Sequence, residues 1–268
     1  MPGRSDTPGA EAPRSGRAGW LSTLRFLLLL ALAAWVLRSL LVAPFSIPSA
    51  SMLPTMLPGD YLFVAKWPYG YSRFSFPGQL PAFPGRLLGR LPERGDVVIF
   101  KRPGSGEDFV KRVIGLPGDR VALAGGQVIL NGRPVARRGI GEVALKRTAN
   151  TDCPVDGQPT CRYPAVVEML PDGRRYLTFD QLADGPADDF AAVTVPPGHL
   201  FLLGDNRDDS ADSRFPLAEG GVGMVPIDHL VGRAAFAFWS TDGSAELARP
   251  WTWFSALRTE RLGQGYQP

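Results

Sequence analysis

The sequence predicts a mainly β protein preceded by one N-terminal apolar helix, on three observations. Residues 21–42 form one long apolar run. After it, hydrophobic residues come in brief stretches rich in Val, Ile, Leu and Phe, broken by Gly, Pro, Asn and Asp. In QVILNGRPV an Asn-Gly pair stands between two such stretches, a strong hairpin signal. With 268 residues and 44% hydrophobic content, the chain can bury a substantial core.

Residues 1–19 are rich in Gly, Pro, Ala and Ser with scattered charge, a composition that reads as a disordered tail. The run LSTLRFLLLLALAAWVLRSLLV would span about 30 Å as a helix, the thickness of a bilayer core. Arg25 and Arg38 lie toward its ends, where they can snorkel, and Trp20 and Trp35 suit the interfacial belts. A cleaved signal peptide is the alternative, but prolines interrupt each small-x-small candidate in APFSIPSAS. A retained transmembrane anchor over residues 20–43 is expected. Arg4, Arg14, Arg17 and Arg25 precede or open the span, whereas residues 39–65 carry no Lys or Arg, which places the tail in the cytoplasm and the bulk of the chain outside.

Beyond the anchor, YLFVAKW, GDVVIFKRP, DFVKRVIGL, DRVALAG, QVILNGRPV and HLFLLGDN read as strands. The Asn-Gly hairpin marks the start of a β-ribbon. Residues 68–92, heavy in Pro, Gly and aromatics, read as a long loop with at most a short helical piece near Arg86 to Arg90. Its aromatics suit lipid contact or ordinary packing. Texture changes between residues 120 and 194, an insertion that divides a core of residues 44–119 and 195–268.

The formal net charge of +3 is modest, and no arginine-rich run interleaves with aromatics, so nucleic acid is not an expected partner. The two cysteines, Cys153 and Cys161, flank the turn-rich PVDGQPT and suit a short disulfide loop in an oxidising compartment; two unpaired thiols are the alternative. No metal or cofactor is expected, since His199 and His229 lack ligand spacing with the cysteines. Gly-x-Ser-x-Gly, His-Glu-x-x-His and Walker patterns are missing from the sequence.

A serine paired with a lysine remains as a source of chemistry. A serine hydroxyl needs a neighbour to take its proton, and a lysine can do so once burial lowers its pKa from about 10.4 toward neutrality. The chain has four lysines: Lys66, Lys101, Lys111 and Lys146. In DFVKRVIGLPGD, strand alternation sets Lys111 on one face with Phe109 and Val113, and Arg112 on the other. Lys66 and Lys101 fall at strand ends before Trp-Pro and Arg-Pro, where exposure is expected, and Lys146 sits in a polar stretch. Lys111 is the candidate base; an inward lysine that snorkels or pairs with a carboxylate is the plainer alternative. The run GDNRDDSADSR follows an apolar strand and reads as a solvated turn or as a polar cradle for a buried amine.

Together three segments resemble type I signal peptidase, the bacterial leader peptidase family. PSASMLPT resembles its nucleophile box, RGDVVIF with DFVKRVIGLPGD its lysine boxes, and GDNRDDSADSR its C-terminal box, in the family's order. The likeness is close over residues 45–119 and 195–214 and loose elsewhere. It implies a signal-peptidase-type β catalytic core with an inserted β-ribbon subdomain, clipped by Cys153 and Cys161. It further implies Ser51 as nucleophile, Lys111 as general base and later acid, and Ser49 completing an oxyanion hole with the Ser51 amide. Ser210 would hydrogen-bond the Lys111 amine, Asp212 and Arg214 would form a supporting ion pair, and Asp205 and Arg207 would have similar structural duty. The implied partners are preproteins whose signal peptides end in small-x-small, the phospholipid bilayer and the nearby secretion translocon. The implied location is the bacterial inner membrane with the catalytic part on its outer face. Phe45, Ile47, Ile99 and Val110 are candidates for the substrate pockets. Other readings are a Ser-Lys peptidase of narrow substrate, or a membrane-tethered β domain that binds without catalysis.

Overall fold

The structure, a computed structural model, describes residues 16–151, 153, 158–185, 187–246 and 248–266. Helix α1 (Gly16–Val36) runs into a wider helical turn, Leu37–Leu41, and then directly into strand β1 (Val42–Ser46). The expected tail therefore lies outside the described residues up to position 15, while Gly16 to Gly19 are already helical. Phe26 is 63% and Leu29 66% exposed, so much of the apolar surface of the helix is not covered by the folded body. A 22-residue stretch, Trp20–Leu41, is long and apolar enough to cross a membrane. Its last carbonyls, which a helix end leaves unpaired, are taken up by the body: Leu41 C=O accepts from the Lys66 amide at 2.9 Å and Leu40 C=O from the Tyr71 hydroxyl at 2.9 Å.

The remaining strands are β2 (Asp60–Ala65), β3 (Val97–Lys101), β4 (Asp108–Gly115), β5 (Arg120–Ala124), β6 (Gln127–Leu130), β7 (Arg133–Pro134), β8 (Ala136–Lys146), β9 (Thr160–Met169), β10 (Arg175–Phe179), β11 (Phe190–Thr194), β12 (His199–Leu203), β13 (Val225–Pro226) and β14 (Leu230–Ser240). They form a seven-stranded sheet in the order β1-β2-β14-β3-β4-β12-β13, a three-stranded ribbon β10-β9-β8 and a four-stranded sheet β11-β5-β6-β7. Every pairing between these strands is antiparallel. The region 120–194 thus holds a second small sheet as well as the expected ribbon. Asn131 (φ 54°) and Gly132 (φ 78°) supply the two left-handed residues of the β6–β7 hairpin, as the Asn-Gly pair predicts.

Period-two alternation explains the main sheet. Val97 and Ile99 pack on one face with Ile47, Met52, Val64 and Val110, while Val98 and Phe100 pack on the other with Tyr69, Val113 and Leu202. Strand β12 alternates likewise, its Phe201 and Leu203 joining Ile114, Val121 and Val128 beneath the four-stranded sheet. Two features go beyond what the local pattern predicts. The loop 68–92 has no helix at Arg86 to Arg90: Leu87 bridges Tyr71, and the Arg86 guanidinium donates to the carbonyls of Gly70 (2.8 Å) and Ile227 (3.0 Å), which an exposed helix would not permit. Short 3-10 turns occur instead at Trp67–Tyr69, Arg73–Ser75 and Pro77–Gln79. And β14, in the middle of the large sheet, was not among the strands expected, because LVGRAAFAFWS alternates small with large residues rather than polar with apolar.

Candidate active site

Ser51 opens a tight turn between β1 and β2 whose neighbours fix it from below. Met52 and Leu53 are fully buried, Met52 in the core beneath the main sheet and Leu53 against the ribbon residues Cys161, Tyr163 and Phe179. From the other side Asn206 holds the turn, its amide donating to Ser51 C=O at 3.1 Å and its Nδ2 to Ala50 C=O at 3.2 Å. Opposite, β4 brings Lys111, whose Nζ donates to Ser51 Oγ at 2.7 Å. Lys111 is 2% exposed and Ser51 8%. Ser49 Oγ lies 3.3 Å from Ser51 Oγ.

These groups face a cleft of about 360 Å³, lined on its apolar side by Phe45, Ile47, Ile99 and Val110, the four pocket candidates. Burial lowers the Lys111 pKa from 10.5 to about 8; Asp212, Asp205 and Asp209 pull it back up, and Arg214 adds to the lowering. The difference means the charged form is disfavoured by about 3 kcal/mol, so near neutral pH an appreciable share of the amine is free of its extra proton.

The run 204–214 folds behind Lys111. Asp212 and Arg214 pair through Oδ1 and Nε at 2.9 Å, Asp212 Oδ2 accepts from the Gly204 amide at 3.1 Å, and Arg214 Nη2 donates to Arg207 C=O at 2.5 Å. Asp205 is clamped by Arg112 at 2.7 and 2.6 Å and accepts from Thr55 at 2.5 Å. Arg207 pairs with Glu168 of β9 at 2.6 Å. Ser210 departs from expectation. Its hydroxyl makes no hydrogen bond to Lys111; it is buried without a partner, packed over Gly204, because the Lys111 amine points to Ser51. Cys153 and Cys161 are joined as a disulfide, Cα atoms 5.0 Å apart. His199 and His229 lie outside the cleft, on the carbonyls of Pro197 and Lys101. Among the described residues, Asp180, Asp188 and Asp208 are grouped closely enough to serve as metal ligands: Asp208 and Asp188 accept through Oδ2 from the amides of Gln181, Leu182 and Gly185, Asp180 pairs with Arg137, and Asp180 Oδ1 and Asp188 Oδ1 are buried without a partner.

Residues 20–239 match the family described as Signal peptidase, peptidase S26. The chain belongs to that family. It is 36% identical over 217 residues to a signal peptidase I of Rickettsia typhi, covering 78% of this chain and 76% of that one. To a signal peptidase I of Rickettsia akari it is 34% identical over 247 residues, covering 89% and 85%. A crystal structure of a signal peptidase I from Enterococcus faecalis V583 matches at 25% identity, covering 54% of this chain and 97% of that one, with a TM-score of 0.30, an overlay too slight to bear on the fold. Membership of the signal peptidase family makes the chain a serine endopeptidase.

In this signal peptidase, several residues packed behind the site were invisible to motif reading. Arg112, Glu168, Tyr176 and Thr55 build a buried network: the Arg112 guanidinium lies 4.4 Å over the Tyr176 ring, whose hydroxyl donates to Glu168 at 2.7 Å. Adjacency to Lys111 was the one available hint for Arg112, while Glu168 and Tyr176 come from the insertion. Lys66 corrects the expectation of exposure at a strand end: it is 4% exposed, its Nζ donating to Ser75 C=O at 3.0 Å, because the loop 68–92 folds back over it. Lys101 pairs with Asp108 at 2.9 Å, and Lys146 is exposed.

Proposed function

We propose that this family member is a membrane-anchored signal peptidase I that cuts signal peptides from exported preproteins after small-x-small, using Ser51 and Lys111. The observation that carries the reading is the 2.7 Å contact between Lys111 Nζ and Ser51 Oγ in an apolar cleft. In the neutral form the Lys111 amine takes the Ser51 proton as Oγ attacks the scissile carbonyl carbon. The oxyanion is received by the Ser51 amide and Ser49 hydroxyl, donors of a kind worth about 3 kcal/mol in the transition state. Lys111 then returns the proton to the leaving amine, and a water, deprotonated by the same amine, releases the acyl group from Ser51.

The free edge of β1 and the stretch of β4 from Asp108 to Val110, which β12 does not cover, flank the cleft and suit a peptide added in extended form. Phe45, Ile47, Ile99 and Val110 would then floor shallow pockets that admit small side chains. Asp212, Arg214, Asp205, Arg207 and Ser210 support the geometry, and the Cys153–Cys161 pair braces the ribbon behind Leu53. On this reading Trp20–Leu41 crosses the bacterial inner membrane with its N-terminus in the cytoplasm, and the β body works on the outer face near the translocon.

The test is cleavage of a preprotein by the purified full chain in detergent. Ser51→Ala and Lys111→Ala should each abolish cutting with the fold intact by circular dichroism, and Lys111→Arg should do so too, since arginine cannot supply a neutral amine. Wild-type cutting by any of the three defeats the assignment.

A further inference from the structure

A second cavity of about 370 Å³ lies beside the cleft, shares Phe45 and Asp108 with it, and opens against the turn that ends α1. Three cations line it: Arg38 from that turn, Lys66 from the end of β2 and Lys101 from β3. Its one lining carboxylate, Asp108, is engaged by Lys101 at 2.9 Å. Lys66 is the unusual member. It is 4% exposed, yet of its three donors one is used, on the Ser75 carbonyl at 3.0 Å. Nothing in the proposed reaction uses it.

We infer that this cavity is a binding site for a phosphate ester anion, the headgroup phosphate of a phospholipid, held by Lys66, Arg38 and Lys101. A buried cation with unused donors calls for an anionic acceptor, and cations outnumber the carboxylate three to one in the lining. Burial lowers Lys66 to about 8; Asp108 alone raises it, against Arg38, Lys101 and Arg86. Arg86 is not available as a ligand, being spent on backbone carbonyls.

Two features favour a lipid over free phosphate. Arg38 lies in the last turn of the apolar segment, so if that segment crosses the bilayer, as proposed above, the cavity stands at headgroup height. The loop that walls the cavity stacks on α1 through Phe76 and Trp35, ring centres 6.1 Å apart, and leaves Leu80, next in sequence to the lining residue Gln79, 65% exposed, suited to an acyl chain. The anion chemistry does not rest on the membrane reading; the lipid source does.

The experiment follows the full chain in dodecyl maltoside, labelled with 13C at lysine Cε. The chain's four lysines give four resonances, identified by Lys66→Met, Lys101→Met and Lys146→Met. Each is titrated with pH in the presence of dihexanoyl phosphatidylglycerol, inorganic phosphate or, as a control, dihexanoylglycerol. The short phospholipid should raise the Lys66 midpoint by about one unit or more, the effect of a newly placed opposite charge, and Arg38→Gln should reduce that rise. A matching rise with inorganic phosphate supports the anion site and assigns a free-phosphate source. A Lys66 midpoint unmoved by both phosphate compounds, or moved equally by dihexanoylglycerol, overturns the proposal. Cleavage activity is not the readout, so failure here leaves the Ser51–Lys111 reading untouched.

Discussion

Arg112 grips Asp205 with two hydrogen bonds, 2.7 and 2.6 Å long, between side chains that are both almost wholly buried. Because Arg112 follows Lys111 on β4 and Asp205 also accepts from Thr55 in the Ser51 turn, the pair ties the two halves of the site together. Arg112→Met strands a buried carboxylate, which should cost about 3–5 kcal/mol. Thermal unfolding of the variant should show this loss, and combining it with Asp205→Leu should destabilise less than the sum of the two single changes.

The pH dependence of cutting follows from Lys111. With its pKa at about 8, the neutral amine is lost as pH falls through that value, so kcat/KM should rise with pH to a midpoint near 8. Asp209 lines the cleft and raises the Lys111 pKa. Asp209→Asn should therefore move the rising limb to lower pH, and a limb that stays in place would remove Lys111 from the role of base.

Gly204 permits the close approach of the C-terminal run to the nucleophile turn. A Cβ there would fall 2.1 Å from Ser210 Oγ and 2.6 Å from Ser51 C=O. Gly204→Ala must push one segment away, and a displacement near 1 Å at a reacting group costs on the order of 100-fold. Single-turnover cleavage should fall by about that factor while the far-ultraviolet circular dichroism stays unchanged.

Lys66 weakens the fold at neutral pH. Its folded pKa, about 8, lies below the ordinary lysine value of 10.5, so the unfolded chain binds more protons between those values and stability rises with pH across that window. Below pH 8 the whole penalty is present. In the absence of phosphate compounds, Lys66→Met should raise stability at pH 7 by about 1–3 kcal/mol, and denaturant titrations above pH 10.5 should show that gain fade.

The sequence made legible what local pattern encodes. Short alternating runs announced β2, β3, β4, β5, β6 and β12, the Asn-Gly pair announced its hairpin, and Ser51 and Lys111, 60 positions apart, were paired by resemblance before the structure set them 2.7 Å apart. Long-range burial was not legible. Lys66 looks exposed until the loop 68–92 is folded over it, and Arg112 looks like an ordinary outward residue until the insertion contributes Glu168 and Tyr176 to its surroundings. Ser210 was placed on the Lys111 amine from a one-dimensional match, which carries no information on which way a hydroxyl turns once Gly204 is packed beneath it.

No spacer separates the apolar helix from the sheet: the turn ending at Leu41 passes into β1 at Val42, and Leu41 is itself hydrogen-bonded to the Lys66 amide. The end of the helix is thereby tied to β1 by the chain and to the end of β2 by a hydrogen bond. If that helix spans a bilayer, a thicker or thinner lipid phase changes its tilt, and a joint this short passes the change on as a different height and angle of Ser51 above the surface. Lipid composition would then act on which bond of a substrate is presented for cutting, without any alteration of the cleft itself.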